Sequence, residues 1–136
     1  HTGADLAILD RTTGVLFAID QVFNQRTPTL PNADLAQWRQ SLAQLAAVPF
    51  KLLVPGHGPV SRDAAPIAAT RDYLDWLDAT LRDAAERGLA PTEAMLLPIP
   101  ERFAHWGEAR AEWRRSIGFM YGRYERAALP WLTPTR

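Results

Sequence analysis

The sequence predicts an α/β domain with a thin sheet. Three short apolar runs, Asp5–Asp10, Val15–Ile19 and Lys51–Val54, have strand length and no helical spacing, and they alternate with longer segments whose apolar residues recur every three to four positions. At 136 residues the chain fits one domain with its own core. Its 47% hydrophobic and 22% charged residues are those of a globular protein, which argues against disorder.

The elements follow in order. Asp5–Asp10 and Val15–Ile19 flank Arg11-Thr12-Thr13-Gly14, a turn in which Gly14 is free to take positive φ, so the pair reads as a β-hairpin. Pro28 and Pro31 mark residues 24–32 as a loop. Asn32 or Asp34 then caps a helix whose stripe is Leu35, Trp38, Leu42 and Leu45. Pro49 closes it. Lys51–Val54 is a strand without polar alternation, as expected for a strand inside a layered fold. It runs into Pro55-Gly56-His57-Gly58-Pro59, a rigid loop. Ser61 or Asp63 caps a long helix with Ile67, Thr70, Leu74, Leu77 and Leu81 on one face, ending at Gly88. A short helical turn and a proline-rich connector span 91–100. One last helix is expected from about Arg102 to Ala128, with Trp106, Ala109, Trp113, Ile117, Met120 and Tyr124 on a face. Three strands are few for this many helices, so the sheet is expected to continue beyond this chain.

Composition also bounds function. Fifteen basic and fifteen acidic residues leave no net charge, which disfavours a general nucleic-acid binder. The arginines between Arg110 and Arg115 interleave with Glu112 and read as a solvated helix face. The apolar runs, Ala94–Leu97 among the longest, are too short to cross a bilayer, and no membrane partner is expected. There is no cysteine, so any metal must be held by His, Asp or Glu.

Three positions could carry such chemistry. His57 follows a buried strand, where ligands collect in layered α/β folds. Asp20 ends another, and a carboxylate there needs a compensating partner. His1 precedes the first strand. Two histidines and an aspartate suit zinc, iron or manganese. The same residues have plainer uses: a histidine between glycines can be a turn residue, and Asp20 can cap the next turn. His105, beside Trp106, reads as a surface or core-edge histidine, and the tryptophans as helix packing.

His1-Thr2-Gly3-Ala4-Asp5 is similar to the Gly-His-Thr-x-x-Asp stretch of the metallo-β-lactamase superfamily. Val15–Asp20 resembles the strand ending in its bridging aspartate, and Val54-Pro55-Gly56-His57-Gly58 its Pro-Gly-His-Gly loop. All three occur in the family's order. Thr27–Pro31, Arg71-Asp72-Tyr73-Leu74 and Arg123-Tyr124-Glu125 resemble one subgroup, the quinoprotein-associated zinc metallohydrolases. The resemblance implies the C-terminal half of an αββα sandwich over 1–136, with sheet and ligand loops in 1–60 and helices in 61–136. It implies that His1 and His57 each ligate one metal of a pair, zinc by preference with iron or manganese as alternatives, and that Asp20 bridges them. In the intact parent a metal-activated hydroxide would attack a carbonyl or phosphoryl group of a small-molecule substrate, in a periplasmic setting for that subgroup.

Departures accompany the match. Ile19 stands where the family has Gly, Gly3-Ala4 where Pro-Gly is commoner, and the His-x-His-x-Asp-His motif, with the general base, would lie upstream. The chain alone is therefore expected to be inactive, without a robust binuclear site. An accessory or binding domain with a degenerate metal site is the alternative. Half a sandwich would expose an apolar sheet face, so a homodimer or swapped oligomer joined through that sheet is expected.

Overall fold

The computed structural model describes residues 6–129. It is a mixed α/β fold: β1 (Ile8–Asp10), β2 (Val15–Phe23), α1 (Leu35–Ala46), β3 (Leu52–His57), α2 (Ala65–Glu86), α3 (Pro91–Ala94), α4 (Glu101–Ala104) and α5 (Ala109–Ala128). His1 and Asp5 lie outside the described residues.

The hairpin forms as its turn chemistry dictates. Gly14 takes φ +76° and its N–H donates to Asp10 O at 2.8 Å. The Asp10 carboxylate accepts from Thr13 Oγ1 (2.6 Å) and Thr12 N (2.9 Å), closing the turn from inside. β1 pairs antiparallel with β2, Ile8 opposite Phe17. β3 joins the other edge of β2 in parallel, Leu16 opposite Leu53, with α1 as the connection. The alternation of β2 sends Leu16 and Ala18 into the core and Phe17 and Ile19 outward.

Helix α1 begins at Asp34, whose carboxylate accepts from Gln37 N at 3.0 Å. Its buried stripe is the expected one, Leu35, Trp38, Leu42 and Leu45. Helix α2 starts just after Asp63, which accepts from Ala65 N at 2.9 Å, and ends at Gly88 with φ +71°. Helices α1 and α2 pack on each other and on β2, and α5 packs on α2. The other face of the sheet is uncovered among the described residues. Ile8 and Phe17 are 56% and 42% exposed there, and Ile19 and Val54 stand on the same side.

Two expectations need correction. β2 does not end at Ile19 but continues to Phe23, so Asp20 lies within a strand. The register shifts on either side of Ile19, and this irregularity lets the strand continue beyond the point where its apolar run is interrupted. The last helix is also two helices. Gly107 leaves the helical path because its N–H donates to Gln25 O and its C=O accepts from Thr27 N, both at 3.0 Å. Glu108, at φ +61°, starts α5 afresh. Trp106 keeps its packing role: it stacks on Tyr73 (5.8 Å between centroids) in a cluster with Trp76 and Phe103. Trp113, fully buried, joins through Trp76 and donates its Nε1–H to Ala94 O at 3.2 Å.

One carboxylate ties three helices. Asp78 of α2 accepts from Arg39 of α1 (3.3 Å), Arg82 (3.4 Å) and the hydroxyl of Tyr124 on α5. Burial pushes the Asp78 pKa up, but the Tyr124 hydroxyl and the Arg39 and Arg82 charges outweigh it and hold the carboxyl below its ordinary 3.8. A depressed carboxylate contributes stability that is complete above its unfolded pKa and is lost as pH falls through the folded one. Asp78→Asn should therefore cost about 1 kcal/mol at neutral pH. Urea unfolding across pH should show this gap shrinking below about pH 4. A gap independent of pH would show that the carboxylate's charge is not what holds the helices.

Candidate metal centre

The local chemistry of β2 and β3 places the two candidate ligands side by side. Asp20 sits in the irregular part of β2 and His57 is the last residue of β3, so it belongs to the strand rather than to a following loop. Asp20 Oδ1 and His57 Nε2 are 3.3 Å apart, with the side chains 34% and 48% exposed. The pair is open to solvent on one side and anchored by strands on the other.

What lets the strands come this close is the absence of side chains at Gly56 and Gly58. A Cβ on Gly56 would lie 2.6 Å from Asp20 Oδ1 and 2.5 Å from Ile19 O. A Cβ on Gly58 would overlap the Asn24 carbonyl, and Gly58 also takes φ +92°. The glycines thus admit the backbone of β2 itself, where the sequence suggested the approach of a bound group. Asn24 closes the arrangement: its N–H donates to His57 O (2.9 Å) and its Nδ2 to Pro59 O (2.7 Å). Beyond the turn, Ser61 exchanges backbone hydrogen bonds with Leu53 at 2.7 and 3.0 Å, which pins the base of the loop.

The imidazole is fixed from below. Its ring stacks on Phe23, centroids 4.8 Å apart and planes 16° from parallel. Phe23 is buried and held by Thr70 of α2, whose hydroxyl accepts from Phe23 N at 3.2 Å. The same hydroxyl is within reach of Pro66 O (2.8 Å) and Phe23 O (3.0 Å), either of which takes its proton. Phe23, Asn24 and Thr70 are therefore positioning residues. Thr70 was visible in the sequence only as a polar interruption of an apolar stripe, and Asn24 carried no signal apart from its place in a loop.

Asp20 and His57 fit a shared metal. Two donors bound at 2.0–2.1 Å in a tetrahedral arrangement lie about 3.3–3.4 Å apart, which matches the observed separation. Carboxylate oxygen and imidazole nitrogen are donors that zinc, iron and manganese accept. The third expected ligand, His1, lies outside the described residues, and among those described no group of three His, Cys, Asp or Glu residues comes together. His105 stands elsewhere, on the surface at the end of α4, with its Nε2 3.2 Å from Glu101. No family model matches this chain, and no curated protein matches it.

Ile19 is the strained member of the site. Its φ is +48°, a conformation that costs an L-residue about 1–2 kcal/mol and a β-branched one at least as much. Ile19→Gly should remove that strain against a backbone-entropy cost of about 0.5–1 kcal/mol, for a net gain of up to about 1 kcal/mol in chemical unfolding. A loss of stability instead would show that the half-exposed Ile19 side chain makes packing contacts that outweigh its backbone.

Proposed function

We propose that this chain is the C-terminal half of a metallo-β-lactamase-fold hydrolase, with Asp20 and His57 as metal ligands and His1 as the third. The observation that carries the reading is the 3.3 Å approach of Asp20 Oδ1 to His57 Nε2, on adjacent parallel strands held together by two glycines. In this reading Asp20, His57 and His1 would hold the metal, zinc by preference and iron or manganese otherwise. When bound, such metals supply Lewis acidity and a water activated near neutral pH. The protein's own part here is orientation. Phe23 sets the plane of the imidazole, Asn24 sets the height of the strand that carries it, and the solvent-open side of the pair leaves room for a small-molecule carbonyl or phosphoryl substrate.

Zinc titration tests the half-site. Wild type, followed by calorimetry and by bound metal after dialysis, should take up about one zinc per chain, at a half-site and not a pair. His57→Ala should weaken uptake at least tenfold, since one of few ligands is lost, and His105→Ala should not change it. Equal uptake by wild type and His57→Ala, or none by either, sinks the ligand assignment.

A second reading is favoured by one observation, the β-branched Ile19 held at positive φ beside Asp20. It makes the chain a non-catalytic binding domain whose metal site has decayed. Both readings share the uncovered apolar sheet face of Ile8, Phe17 and Ile19, and we infer that two copies cover it as a homodimer. Multi-angle light scattering should then give twice the 15.2 kDa chain mass, reverting toward the monomer in Phe17→Lys. A wild-type monomer at the concentrations used would overturn the dimer.

A further inference from the structure

We propose that the cleft between α1, α2 and α5 binds a small organic carboxylate with a short apolar body. The cleft is open to solvent and offers about 520 Å³, within the range of small-molecule sites. It shares no residue with the Asp20–His57 pair.

Its walls sort by chemistry. Arg39, Arg82 and Arg123 reach it from α1, α2 and α5 respectively, and Leu35, Ala36, Met120 and Ala127 supply apolar surface. The arginines differ in what they have left to offer. Arg39 is committed, through Asp75, Asp78 and the Leu74 carbonyl. Among the described residues Arg82 pairs with Asp78 alone, at 3.4 Å, and Asp78 is already shared with Arg39 and Tyr124. Arg123 has no hydrogen-bond or ion-pair partner among the described residues. A guanidinium is built for planar, two-pronged contact with a carboxylate, and here one has no such partner among the described residues and a second is half-occupied, in a cleft of mixed polar and apolar lining.

Arg39 is neutralised by Asp75 and Asp78, so the cations left to meet a ligand are Arg82 and Arg123, an arrangement suited to a single carboxylate. The apolar part of the lining, Leu35 and Met120, favours a ligand with an aliphatic or aromatic body over a bare inorganic ion, because covering such a body releases it from water. Asp78 stays ionised at neutral pH and engaged with its three partners, so it repels a ligand carboxylate from the Tyr124 side and leaves Arg82 and Arg123 as the docking pair.

The test uses the whole chain with hexanoate, hexanol and inorganic phosphate as probes, followed by NMR shift titration. Hexanoate should bind saturably. Hexanol, lacking the charge, and phosphate, lacking the apolar body, should each bind about tenfold more weakly or less. Arg123→Ala should weaken hexanoate about tenfold, while Arg126→Ala, which removes an arginine of the same helix outside the cleft, should leave it unchanged. Arg123 is exposed and has no hydrogen-bond or ion-pair partner among the described residues, so its variant should keep the wild-type melting temperature. The proposal is overturned by non-saturable hexanoate binding, by hexanol or phosphate binding as well as hexanoate, or by equal effects of the two arginine substitutions.

Discussion

The closeness of β2 and β3 near Gly56 and Gly58 is the constraint on which the candidate centre rests. Strands in a ladder are held at a fixed spacing by hydrogen bonds, but here the ladder is irregular around Ile19, and the backbone of Ile19 and of Asn24, just past β2, occupies the space that side chains at 56 and 58 would fill. Everything at the site follows from that contact. It puts Asp20 opposite the end of β3, brings Asn24 within hydrogen-bond reach of the His57 carbonyl, and sets Phe23 beneath the imidazole. A methyl group at Gly56 would strike both a backbone carbonyl and the carboxylate itself, so the geometry of the pair is a backbone property before it is a side-chain one.

This order of causes explains what was legible in the sequence. The helices α1 and α2 were, because their stripes of Leu35, Trp38, Leu42, Leu45 and of Ile67, Leu74, Leu77, Leu81 are local facts that packing then used unchanged. The hairpin turn was legible from Gly14. The juxtaposition of Asp20 and His57 was visible only as two motifs in order; their distance depends on pairing between segments far apart in sequence. The extension of β2 to Phe23 was hidden because Asp20 and Gln21 interrupt the apolar run that marks a strand. The break between α4 and α5 was hidden for a similar reason. Nothing local forbids a helix through residues 105–108 except Gly107, and a single glycine costs only about 1 kcal/mol in a helix. Its hydrogen bonds to Gln25 and Thr27 decide the matter, and no local pattern reveals them.

The break has a structural consequence. By pairing with residues 25–27, Gly107 ties the segment that leaves β2 to the C-terminal helices, so the loop following Asn24 is held at both ends. The aromatic cluster of Tyr73, Trp76, Phe103, Trp106 and Trp113 lies behind this tie. Thr70, one helical turn from Tyr73 on α2, carries the link forward to Phe23 and so to the imidazole. The contacts that orient His57 therefore trace back through Phe23 to Thr70 of α2.

The two faces of the sheet divide the work. On the inner face, Leu16, Ala18 and Leu53 are sealed under α1 and α2, and the hydrophobic contribution to stability is concentrated there. On the outer face, Ile8, Phe17, Ile19 and Val54 meet no covering layer among the described residues. Single exposed apolar side chains need no explanation, but neighbours paired across strands form one surface, and such a surface favours association. The Asp20–His57 pair lies at the end of the same strands, half open to solvent. Water at the exposed side of the two donors screens their interaction, and burial of that side would strengthen it.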